Sequence, residues 1–95
     1  MIKKNDIVKG VFVVKNEKGL HTRPSTELVK CAASFNSQIN LFYKKYTVNG
    51  KSLLGILMLA AGKGSKIIVE ATGEDAEDAV NSIIKLAKNK FLIKY

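Results

Sequence analysis

The chain of 95 residues has room for one hydrophobic core, since domains usually run to about 100 to 200 residues, and a single domain is expected. With 46% hydrophobic and 25% charged residues, it is too apolar for a disordered tail and too mixed for a coiled coil or a disulfide scaffold. Sixteen Lys and Arg against eight acids leave a net charge of +8, which invites an anionic partner such as nucleic acid, phosphate, a membrane or an acidic protein surface without choosing among them.

Residues 1–7 show no usable periodicity and are expected to be a short extension ahead of one domain over 8–95. Val11 to Val14 is a β-branched and aromatic run closed by Lys15-Asn16-Glu17-Lys18-Gly19, which predicts a strand and a loop. After His21, Pro24 is followed by Leu28, Cys31, Ala32 and Phe35 at helical spacing, and proline is tolerated in a first turn because its missing N–H would be unpaired there. Ile39, Leu41 and Tyr43 alternate, Lys44-Lys45 interrupts, and Tyr46 to Val48 resumes before Asn49-Gly50, which predicts a hairpin. Ser52 introduces an uncharged helix over Leu53 to Ala61. Lys66 to Ala71 is a β-branched strand, and the last helix carries Ala76, Ala79, Val80, Ile83, Leu86 and Ala87 on one stripe, with acids in its first turn and Lys85, Lys88 and Lys90 near its end. The order β-α-β-β-α-β-α, without internal repeats, predicts an α+β two-layer sandwich, helices covering one face of a mostly antiparallel sheet.

Cys31 stands alone, so no internal disulfide forms, and one Cys with one His cannot build a zinc site. The uncharged run from Ser52 to Gly62 is far below the roughly 20 residues that span a bilayer, and Val11 to Val14 is too short for a signal-peptide core. A cytoplasmic protein without membrane insertion, metal or cofactor is expected.

The only histidine stands in Gly19-Leu20-His21-Thr22-Arg23-Pro24, between a glycine loop and a helix start. A first helical turn leaves backbone N–H groups unpaired and gathers partial positive charge, so a phosphoryl group on this imidazole would find donors waiting. Arg23 adds planar bidentate donors. Residue type alone does not separate this from a surface or capping histidine beside a solvated arginine. The motif nevertheless puts nucleophile, cation and helix start together, with no second base, paired acids or metal ligands nearby for hydrolysis, and such a site carries a phosphoryl group rather than hydrolysing it.

Taken in order, GLHTRPS, VNGKSLLGILML and GSKIIVEATGEDAEDAV resemble the phosphocarrier protein HPr family of the sugar phosphotransferase system, from about Val8 onward. The resemblance implies an open-faced β-sandwich with three helices on a four-stranded antiparallel sheet. It also implies that His21 is phosphorylated on a ring nitrogen by enzyme I, with phosphoenolpyruvate as the ultimate donor, and passes the group to EIIA components of sugar permeases. Such a chain is a phosphoryl carrier with a transferase-like role rather than a turnover enzyme, and a monomer is expected. Arg23 matches the arginine that assists transfer. The family usually has alanine after the histidine, so Thr22 departs from the pattern; its hydroxyl has two readings, a contact to the phosphoryl group or partner and a helix cap.

Ser52 is placed as an N-cap, worth on the order of 1 kcal/mol to its helix. The resemblance adds a regulatory reading, since the matching serine is phosphorylated in some bacterial lineages, which implies a serine kinase and phosphorylase as further partners. The helix behind it has no polar side, and a two-layer domain buries only one side of a helix. Leu53, Leu54 and Leu57 can share an exposed side, the mark of a protein-docking surface, and in the family the matching helix meets enzyme I and EIIA. The remaining lysines read as a solvated surface. Phe42, Tyr43 and Tyr46 beside Lys44 and Lys45 offer a rival reading, a small nucleic-acid-binding domain, although no RNP-type aromatic signature accompanies them. A third is an HPr-like regulatory paralogue that signals without carrying phosphate to sugars; such paralogues can lack the histidine, and this chain keeps it.

Overall fold

A computed structural model describes residues 6–95, so residues 1–5 of the expected extension lie outside the described residues. Strand β1 (Ile7–Val13) begins within that extension, because Ile7 already pairs with Thr72. Its side chains alternate: Phe12 is buried and Val8 half-buried, whereas Ile7, Lys9, Val11 and Val13 are exposed. Lys9 stands opposite Glu70 in the register and forms an ion pair with it at 3.5 Å.

The chain continues through helix α1 (Thr22–Ala33), strand β2 (Gln38–Tyr43), strand β3 (Tyr46–Asn49), helix α2 (Leu53–Met58), strand β4 (Lys66–Thr72), helix α3 (Ala76–Lys88) and a 3-10 turn at Lys90–Leu92. The four strands form one antiparallel sheet in the order β1-β4-β2-β3. Phe12, Ile39, Leu41, Ile67 and Val69 point from the sheet into a core shared with Leu28, Ile56, Ala79, Val80 and Ile83 of the helices, while Val11, Val13 and Ile68 leave the other face open to solvent. This is the expected open-faced sandwich. Helix α3 lies so close to β1 that a Cβ on Gly10 would come within 2.5 Å of Ile84 Cδ1 and 2.6 Å of Val80 Cγ1, so a larger residue there would have to push these side chains aside.

Two elements end differently from the expectation. Helix α2 stops at Met58 rather than Ala61, because Ala60 turns the backbone with φ 51° and Ala61 must accept the N–H of Leu20 at 2.8 Å. That bond joins the end of α2 to the loop carrying His21. Helix α3 stops at Lys88, and the lysine expected near its end, Lys90, opens a left-handed turn in which Lys90, Phe91 and Leu92 have φ of 54°, 55° and 65°. Left-handed backbone costs a non-glycine residue roughly 1 to 2 kcal/mol. Burial of Phe91, with its ring edge-on to Phe12 at 5.8 Å and 74°, offsets that cost and fixes where the following residues go.

Candidate functional site

The loop before α1 is shaped by Gly19, whose φ of +69° suits glycine and whose absent side chain is necessary: a Cβ would lie 2.4 Å from the Ala61 carbonyl oxygen. The turn is closed by Gly19 N–H donating to Asn16 O at 2.9 Å. His21 follows as the N-cap of α1 in extended backbone (φ −77°, ψ −173°). Its carbonyl accepts the N–H of Ser25 at 3.0 Å, and the Ser25 hydroxyl donates back to Leu20 O at 2.9 Å. The amides of Thr22 and Arg23 precede every carbonyl the helix could offer them, and Pro24 has no N–H to add. His21 thus sits where helix geometry leaves donors free.

The imidazole is half-buried, and its Nε2 is enclosed without a hydrogen-bond partner. The ring of Tyr95 stacks on it, with centroids 5.7 Å apart and planes 20° from parallel. Arg23 is exposed and donates through Nη1 to the Tyr95 hydroxyl at 2.8 Å, its guanidinium carbon 5.7 Å from that ring's centroid. Lys18 brings its ammonium to 5.5 Å from the same ring. Two cations thus gather on the phenol that stacks on the histidine at the helix start, an arrangement that suits a dianionic group on the imidazole. Among the described residues no group of three or more His, Cys, Asp or Glu could hold a metal ion.

Thr22 is the exposed first residue of α1. The capping position is His21 instead, and Thr22 contributes its carbonyl, which accepts the Thr26 hydroxyl at 2.8 Å. Ser52 does cap α2: its Oγ accepts the N–H of Gly55 at 3.0 Å, after an Asn49 turn in which Asn49 Oδ1 accepts the N–H of Lys51 at 2.8 Å. On α2, which packs against α1, Leu54 and Met58 are 69% and 75% exposed and Leu53 is at the edge of exposure, whereas Leu57 is half-buried and Ile56 fully buried. The outward stripe is thus Leu54 and Met58 with Leu53; Met58 was not among the expected docking residues, and Leu57 lies deeper than expected. Cys31 is half-buried, and burial pushes its thiol pKa up, away from a reactive thiolate.

Among the aromatic residues of the hairpin only Tyr46, 54% exposed, stands open to solvent. Phe42 and Tyr43 are half-buried, Lys44 already lies 5.2 Å from the Tyr43 centroid, and Lys45 lies 6.0 Å from that of Tyr46. The sequence reading missed two residues at the histidine: Tyr95, which covers the ring, and Asn16, which donates to the backbone oxygens of Lys90 and Tyr95 at 2.9 and 3.0 Å. A polar residue in a loop and an aromatic beyond the last helix carry no periodic signal, so only the three-dimensional contact reveals them.

The open-faced sandwich with these elements in this order is that of a phosphocarrier-family domain, and residues 8–89 match the family model described as PTS HPr component phosphorylation site. The chain is similar to HPr-C-His from Thermoanaerobacter tengcongensis, at 33% identity over 93% of this chain and 99% of that one, with a TM-score of 0.88. It is similar to phosphocarrier protein HPr from Bacillus anthracis, at 36% identity over 85% and 96% of the two chains, TM-score 0.81. The catabolite repression protein Crh of Bacillus subtilis, described as a swapped dimer, matches at 30% identity over 81% and 88%, TM-score 0.71. The chain belongs to the HPr family.

Proposed function

We propose that this protein is a cytoplasmic phosphoryl carrier that accepts a phosphoryl group on His21 from enzyme I and passes it to EIIA components of sugar permeases. The observation that carries the reading is His21 at the N-cap of α1, stacked on Tyr95, to which Arg23 and Lys18 are drawn. Because Nε2 is enclosed, Nδ1 is the nitrogen that reacts. Its lone pair attacks phosphorus while the bond from phosphorus to the donor breaks, the electron pair leaving with the donor. In the second transfer the P–N bond breaks and its pair returns to the imidazole. The free amides of Thr22 and Arg23 and the Arg23 guanidinium hold the phosphoryl oxygens in between, and among the described residues no group of three or more His, Cys, Asp or Glu could hold a metal ion to direct water at phosphorus.

The exposed stripe of Leu53, Leu54 and Met58, with Leu57 at its margin, is the surface on which enzyme I and EIIA dock beside the histidine. Ser52 at the head of that stripe is the site of a serine kinase and phosphorylase. A phosphate there adds about −1.5 to −2 charges next to the leucines and weakens docking.

The test is incubation with enzyme I and labelled phosphoenolpyruvate. Acid-labile label is expected on the protein and none on His21→Ala. A folded wild-type protein that takes up no label, or a His21→Ala variant labelled as well as wild type, overturns the reading.

A further inference from the structure

Tyr95 reaches His21 by an unusual route. Beyond α3 the backbone passes through three consecutive left-handed residues, none of them glycine, and is then tied down by Asn16 at both Lys90 and Tyr95. Phe91 and Ile93 of this segment are buried and account for its attachment to the core. Burial does not account for Tyr95, which remains 40% exposed and directs its contacts to His21, Arg23 and Lys18.

We infer that Tyr95 is a positioning residue of the phosphoryl-transfer site. The inference rests on the carrier reading above. Its ring lies nearly parallel to the imidazole and restricts how that ring turns, while its hydroxyl oxygen accepts one N–H of Arg23. A guanidinium has five N–H donors, so one bond to the phenol leaves four for phosphoryl oxygens. An arginine on an exposed helix start otherwise samples many rotamers, and ordering it in advance lowers the cost of reaching the transferred group. The contact from Lys18 to the same ring keeps a second cation at the site. Tyr95 therefore acts through His21 and Arg23, without itself forming or breaking a bond to phosphorus.

Two substitutions separate the two contacts. Tyr95→Phe keeps the stacked ring and removes the acceptor for Arg23; Tyr95→Leu removes both. Phosphotransfer from enzyme I is measured with phosphoenolpyruvate as donor, together with the proton NMR signals of the His21 ring. In Tyr95→Phe, kcat falls about threefold to tenfold with KM unchanged, the scale of one ordinary solvent-exposed hydrogen bond, and the His21 ring signals stay where they are in wild type. In Tyr95→Leu, kcat falls further and the His21 signals lose the upfield shift that the stacked phenol imposes. Wild-type kinetics in both variants overturn the assignment, as does a rise in KM alone, which would make Tyr95 a partner contact. A wild-type protein that accepts no phosphoryl group overturns the carrier reading instead, while the NMR comparison still reports whether the stack exists.

Discussion

The side-chain amide of Asn16 donates to the backbone oxygen of Tyr95 at 3.0 Å, and the same nitrogen donates to Lys90 O at 2.9 Å. Asn16 is completely buried, so these bonds hold the segment beyond α3 to the loop ahead of His21 from within the fold. Asn16→Ala removes the donor from both oxygens, and stability should fall by about 1 to 3 kcal/mol, the cost of leaving buried polar groups unpaired. Asn16→Asp should cost more, because a carboxylate would face two acceptor oxygens. Urea unfolding followed by circular dichroism measures both, and a midpoint equal to wild type in either variant would contradict this role.

The histidine site was legible as far as it is local. Gly19, His21, Arg23 and Pro24 are neighbours in sequence, and each imposes its effect through backbone conformation or helix-end geometry that acts over a few residues. Ser52 was legible for the same reason, and the alternation of apolar residues in β2 marked Ile39 and Leu41 as meeting the core, whereas the continuous Ile67-Ile68-Val69 run of β4 hid that Ile68 faces solvent. The Asn16 and Tyr95 contacts were hidden because they depend on a left-handed turn built from Lys90, Phe91 and Leu92, residues with no preference for it. Helix α2 failed differently. With leucine, isoleucine or methionine at nearly every position there is no polar face to set the inward direction, so Leu57 and Met58 could be ordered only by seeing Ile56 and Leu59 in the core.

That ordering on α2 gives a direct test of docking. Leu54 and Met58 are mostly exposed, so Leu54→Glu and Met58→Glu should change stability by no more than about 0.5 kcal/mol, as surface substitutions generally do. Both should raise KM in phosphotransfer from enzyme I and to EIIA several-fold. Leu57→Glu, at a half-buried position, should destabilise as well, and Ile56→Ala should cost about 2 to 5 kcal/mol without altering the surface. Steady-state phosphotransfer beside urea unfolding distinguishes these outcomes; unchanged KM for both exposed variants would remove the stripe from the docking surface.

Asp75 ties the start of α3 to the segment joining α1 and β2. Its carboxylate accepts the Ser37 hydroxyl, the N–H of Asn36 at 2.8 Å and the N–H of Ser37 at 2.9 Å. These donors, the Ser37 hydroxyl first, hold its pKa below the ordinary carboxylate value, against a smaller opposing effect of burial. An unfolded chain restores Asp75 to about 3.9, so the folded state binds the proton less readily than the unfolded one. The carboxylate's stabilisation is therefore complete above about pH 4 and is lost as pH falls through the depressed folded value. Asp75→Asn should unfold at a lower temperature than wild type near neutrality, with the gap closing in strong acid. The Asp75 carboxyl carbon followed by NMR should titrate below the ordinary aspartate range; a midpoint at or above that range, or a gap that widens with acid, would show that Ser37 and Asn36 do not favour the ionised form.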